Sequence, residues 1–151
     1  MASDHPVAAV VAVSRTHTYQ PKKHLLRFEC SLRMERGRRD FIRAYVFHDR
    51  KTMREWMALA ARRPRFFGNA EAAAHSWLVK GAPHDCGWVA FHAKQRGVGV
   101  LAHEMTHAAH YYLNRRRFKF GSRQWDEKMA WTVGYLCHQF VRKAEKAGMY
   151  K

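Results

Sequence analysis

The spacing of apolar residues changes period along the chain, and the changes mark its elements. Residues 7–13 form a short valine-rich run of strand length. Residues 14–24 are polar, include Pro21, and read as a loop or the start of a further strand. Residues 25–34 alternate, with Leu26, Phe28, Cys30 and Leu32 on one side and Arg27, Glu29, Ser31 and Arg33 on the other. That is the pattern of a half-buried strand. A charged turn around Gly37 leads to a second strand over 41–47, so the two predict a hairpin. The period then lengthens. Met53, Trp56, Met57 and Ala60 recur at helical spacing, and Asp49 or Thr52 can cap this helix. Thr52 and Glu55 have capping-box spacing, and Arg62, Arg63 and Pro64 close the helix.

Residues 65–74 show neither period and read as loop or a poor extra turn. Strands are predicted over 75–80 and 86–94, separated by the turn cluster 81–85. A helix over 98–114 gathers Leu101, Met105, Ala108 and Tyr112 into one apolar stripe. After a basic connector at 114–121, a last helix runs to residue 146 and is ended by Gly148. Its expected core stripe is Met129, Val133, Leu136 and Phe140, and its expected outer stripe is Lys128, Thr132, Tyr135, Gln139 and Arg142. This order of elements predicts an α+β fold, with an antiparallel or mixed sheet packed against the 98–114 helix and the C-terminal helix. The length of 151 residues predicts a single domain over 1–151.

The 98–114 helix also carries chemistry. His103, His107 and His110 lie on a stripe roughly opposite the apolar one, and His103-Glu104-x-x-His107 is an H-E-x-x-H pattern. Residues four apart share a helix face. Two imidazoles can therefore hold one metal ion while Glu104 reaches a water beside it.

Composition narrows the setting. Net charge is +16, from 28 Lys and Arg against 12 Asp and Glu. Such a field favours nucleic acid, anionic surfaces or acidic protein partners. Arg36, Arg38, Arg39, Arg62, Arg63, Arg65, Arg115, Arg116 and Arg117 occur in clusters that can neutralise phosphates, although no helix-turn-helix, zinc-finger or RNA-recognition signature accompanies them. A hydrophobic content of 47% argues against a disordered chain. Three widely spaced cysteines, Cys30, Cys86 and Cys137, with no C-x-x-C pair, indicate neither a disulfide framework nor a cysteine zinc knuckle, and suit thiols in a reducing compartment. The first residues lack a basic leader, and no apolar stretch approaches the ~20 residues that cross a bilayer. A soluble cytoplasmic protein without a membrane partner is expected.

A catalytic zinc usually has three protein ligands and an open position. Besides His103 and His107 the candidates are Glu127, His110 and His138. His110 is on the same helix as the pair, and one helix does not easily wrap three ligands around a tetrahedral ion. Glu127 fits better: it lies at the head of the last helix, on a flank shared with Trp131, Gly134 and His138, where an antiparallel neighbour can present it to the histidines.

With this motif and a glutamate on the following helix, residues 98–134 resemble the gluzincin clan of zinc metallopeptidases. They are also similar to small metallopeptidase-like proteins of phages and mobile elements, and more distantly to the ImmA/IrrE and SprT groups. The resemblance implies a minimal zincin-like domain that binds Zn2+ through His103, His107 and Glu127 and hydrolyses peptide bonds in a protein or peptide substrate, with Glu104 as general base. Position 131 is Trp, where the clan often carries an Asp that orients a ligand histidine. Similarity to zincin architecture makes the 86–94 strand the expected sheet edge for an extended substrate. Candidates to stabilise the transition state are His84, His92, His110, Tyr111 and His138. The alternative expectation is a basic nucleic-acid-binding protein with a structural or degenerate zinc site, or a protease acting on DNA-bound proteins. A pseudo-enzyme that binds a partner protein is a third.

Overall fold

The computed structural model describes residues 24–32, 39–61, 70–76, 83–95 and 97–149. Four strands and three helices follow in the order β1 (His24–Ser31), β2 (Phe41–Phe47), α1 (Arg50–Ala60), β3 (Ala72–Ser76), β4 (Asp85–His92), α2 (Val98–Arg115) and α3 (Arg123–Lys146). The expected strand at 7–13, most of residues 14–24, most of the 35–40 turn and the end of the 75–80 strand lie outside the described residues.

The sheet has the order β1-β2-β4-β3. β1 and β2 are the antiparallel hairpin that the alternation predicts, with Phe28 level with Ala44 and Cys30 with Ile42. β2 runs parallel to β4, and β3 returns antiparallel to β4. The sheet is therefore mixed and the fold is α+β, as expected.

Pleating sends alternate residues to opposite faces. Ile42, Ala44, Val46, Val89 and Phe91 join a core shared with α2 and α3. Tyr45, Phe47, Trp88 and Ala90 join a second core under α1. There Trp56 closes the layer, with ring centroids 4.5 Å from Tyr45, 5.3 Å from Phe47 and 4.9 Å from Trp88. Asp49 caps α1, its carboxylate accepting the Thr52 amide at 2.8 Å and the Thr52 hydroxyl at 2.9 Å. Ser122 caps α3 by accepting the Trp125 amide at 3.1 Å.

Three expectations need correction. β3 starts at Ala72, inside the stretch read as loop. The 86–94 segment is not a sheet edge: β4 lies between β2 and β3 and is buried along its length. β3 is the edge. On α3, Thr132 and Gln139 are not outward. Thr132 is buried, its hydroxyl donating to the Lys128 carbonyl at 2.6 Å. Gln139 clasps the free edge of β1: its Oε1 accepts the Ser31 amide at 2.9 Å and its Nε2 donates to the Ser31 carbonyl at 2.7 Å. That amide satisfies backbone groups which an uncovered strand leaves unpaired.

Candidate metal centre

Six buried apolar residues of α2 set its rotation: Leu101, Met105, Ala108, Ala109, Tyr112 and Leu113. With these against the sheet and α3, the helical period turns His103 and His107 outward, and both are exposed. Their rings meet edge to face, centroids 4.7 Å apart, and their Nε2 atoms face each other at 3.1 Å. Two unprotonated nitrogens repel at that distance unless a proton or a cation lies between them. Burial and the nearby charges of His103 and His110 hold His107 below the ordinary histidine range, so it is neutral at physiological pH. Nitrogens bound to one zinc at 2.0–2.1 Å with tetrahedral angles are ~3.3 Å apart. The pair is close to that spacing, and the neutral imidazole is the form that ligates.

Glu104 takes the opposite course. It stands between the apolar and histidine stripes and is 8% exposed. Burial raises its carboxyl above the usual glutamate range; the neighbouring His103 imidazole and the backbone N–H of Ala74 offset part of that. Ala74 belongs to β3, so the motif carboxylate is seated on the sheet edge. An edge residue that turns its N–H to a side chain points away from β4. By the alternation of an antiparallel ladder, Ala72 and Ser76 turn their backbone groups the same way.

Tyr111 completes this face. It follows His107 by one turn, their rings near parallel at 6.3 Å. Burial, then the negative charge of Glu104, pushes its phenol above the ordinary tyrosine range, so the hydroxyl keeps its proton. The other transition-state candidates lie elsewhere. His92 is on the α1 side of the sheet, its Nε2 3.4 Å from Glu71 Oε2, in a network that Arg50 joins. His84 Nδ1 is 2.9 Å from Asp40 Oδ1, beside the start of β4. His110 packs edge-on against Trp125 at 5.5 Å, and its Nε2 is 3.2 Å from Asn114 Nδ2. His138 is exposed on the outer face of α3.

Glu127 is not brought to the histidines. Trp125, Thr132, Leu136, Phe140 and Ala144 are the buried residues of α3. Glu127, two positions beyond Trp125, lies ~200° around the helix and is exposed. Among the described residues no three His, Cys, Asp or Glu side chains gather as a metal-holding group. His103, Glu104 and His107 are thus assembled as the motif predicts, while the third ligand is not. The site members that sequence reasoning missed are on β3. Residues 70–74 are alanine-rich with one glutamate, a composition that favours helix, and only packing makes them a strand.

The basic clusters are partly committed to structure. Arg115 donates to the Asp85 carbonyl at 2.8 Å and to the Pro83 carbonyl, tying the end of α2 to the start of β4. Arg36, Arg38, Arg62, Arg63 and Arg65 lie outside the described residues. All three cysteines are free. No helix among the described residues is long and apolar enough to cross a membrane. Compared with known protein families, characterised proteins and solved structures, the chain matches none.

Proposed function

We propose that the chain is a zincin-like, zinc-dependent peptidase. One observation carries the reading: a pair of facing imidazole nitrogens 3.1 Å apart stands one residue from a buried carboxylate, on a helix packed beside the edge strand of the described sheet. His103 and His107 would hold the ion. A zinc bound there supplies Lewis-acid polarisation of a carbonyl and a water with pKa near ~7.

The chain's own residues do the rest. The outward backbone groups of Ala72 and Ser76 offer an extended peptide a strand to pair with. Glu104, with its proton affinity raised by burial, accepts the proton of the attacking water and returns it to the departing amine. The protonated Tyr111 hydroxyl is the donor on this face able to stabilise a developing oxyanion. Three free thiols are consistent with a reducing, cytoplasmic setting.

Metal content and hydrolysis of a denatured protein substrate, measured for wild type, Glu104→Gln and His103→Ala, test the proposal. Expected are bound zinc and activity in the wild type, zinc without activity in Glu104→Gln, and neither in His103→Ala. A wild type that binds no zinc, with activity indifferent to His103→Ala, overturns it. The +16 charge favours a second reading, contact with nucleic acid by the same chain. DNA binding that weakens steeply between low and moderate salt would support it, and absence of binding at low salt would exclude it.

A further inference from the structure

We propose that the outer face of α3 is a self-association surface, on which a second copy of this chain packs antiparallel across Gly134. This inference is independent of the peptidase reading.

The face is defined by what α3 leaves uncovered. Ala130, Trp131, Gly134, Tyr135 and His138 line a shallow groove of about 400 Å³. Trp131 is 72% and Tyr135 42% exposed. Large aromatic side chains around a small central residue are typical anchors of protein interfaces.

Among the described residues nothing packs against Gly134. Glycine is the poorest helix former after proline, yet Gly134 sits at the middle of the 24-residue α3. A Cβ built there meets nothing within 4 Å. Among the described residues no side chain requires the gap, whereas a second helix backbone crossing closely at this point does.

The charges favour an antiparallel pair over an in-register parallel one. In an antiparallel pair centred on Gly134, Arg123 of one copy is level with Glu145 of the other, about 16 Å from the crossing at 1.5 Å rise per residue. By symmetry the contact occurs twice. Glu127 falls within one residue of the level of Arg142, giving a second pair; if Glu127 is held elsewhere the first pair remains. Arg123, Glu127, Arg142 and Glu145 are all exposed. In a parallel arrangement Arg123 would meet Arg123. The face therefore carries balanced charge in a chain of net charge +16. Two copies can meet there without the repulsion that the chain's net charge brings.

Sedimentation equilibrium of the full chain tests the proposal. The wild type is expected to reach twice the chain mass by about 100 µM, a moderate affinity for one helix pair. Gly134→Leu fills the crossing and should leave a monomer with an unchanged circular-dichroism spectrum. Arg123→Glu should weaken dimerisation about tenfold, since two contacts become repulsive. Adding Glu145→Arg to it should restore the wild-type constant, a rescue that a fold defect would not show. A wild type monomeric at that concentration, or dimerisation unaffected by both Gly134→Leu and Arg123→Glu, overturns the assignment and leaves the face to another partner.

Discussion

Glu104→Gln is expected to make the metal-free protein more stable while abolishing hydrolysis. Glutamine has the shape of glutamate, and its carbonyl oxygen can still accept the Ala74 N–H. What it removes is a negative charge from a position 8% exposed. The sign follows from the raised carboxyl. A group whose folded pKa exceeds its unfolded value contributes its full stability below the unfolded value, near ~4.3 for glutamate, and loses it as pH rises through the folded value. As pH rises towards 7 the wild type loses that contribution, whereas the glutamine variant never had a proton to lose. Relieving one such buried functional group is worth about 1 kcal/mol, within the ~0.5–2 range of site-relieving substitutions. For a chain of this size that is a rise in Tm of about 2–4 °C.

The assay is thermal unfolding of both proteins in a chelator at pH 4 and pH 7. The variant's advantage should be present at pH 7 and shrink towards pH 4, where the wild-type carboxyl is mostly protonated in both states. Saturating zinc should reduce it as well, because a cation beside the histidines favours the ionised carboxylate. A variant no more stable than wild type at pH 7, or an advantage independent of pH, would refute the claim that burial strains this carboxylate.

Zinc at ~100 times its dissociation constant should stabilise the wild type by about 2.7 kcal/mol, a Tm rise of about 5–10 °C that is lost in His107→Ala. The outward placement of Glu127 predicts that Glu127→Ala keeps most of that rise; its loss would instead establish the expected third ligand. Phe140 is 1% exposed and joins α3 to the sheet through Phe28 at 5.3 Å and Phe91 at 4.8 Å. Phe140→Ala should cost about 3–5 kcal/mol in denaturant titration, and a loss below ~1 kcal/mol would place α3 outside the cooperative core. Burial pushes the Cys30 thiol up to about 12, so its contribution to stability is intact below pH 9 and lost as pH rises towards 12. Over that interval Cys30→Ala should show a stability slope shallower than wild type by about 1.4 kcal/mol per pH unit. Gly134→Ala, studied dilute enough to be monomeric, should gain about 1 kcal/mol, because nothing among the described residues contacts the added methyl.

Much of the fold was legible because most elements have clear periods. β2 spans the residues its alternation predicts, and α2 matches the predicted helix to within a residue. The motif helix was oriented correctly by Leu101, Met105, Ala108 and Tyr112 alone, all buried as expected. What misled was composition without period. The Ala72–Ala74 run has little shape of its own, and it becomes a strand because small side chains fit between Trp88 on one face and α2 on the other. The wrong edge strand followed, since a missing β3 leaves β4 looking exposed. On α3 the error was rotational. Reading the core stripe from Met129, Val133, Leu136 and Phe140 omits Trp125 and Thr132, whose burial turns the helix and carries Glu127 outward.

These two outcomes separate what places the site from what it does. His103 and His107 are exposed and hold no part of the core, so their positions follow from apolar neighbours that have no chemistry. Glu104 differs, being buried at a position where an uncharged residue of the same shape would serve the fold better. Packing therefore accounts for the direction of the histidines but not for the presence of a carboxylate. A buried acid seated against the edge strand of the described sheet, one residue from paired imidazoles, is what the proposed peptidase would need to take a proton. That is why the peptidase reading rests more firmly on Glu104 than on the histidines that make the motif recognisable.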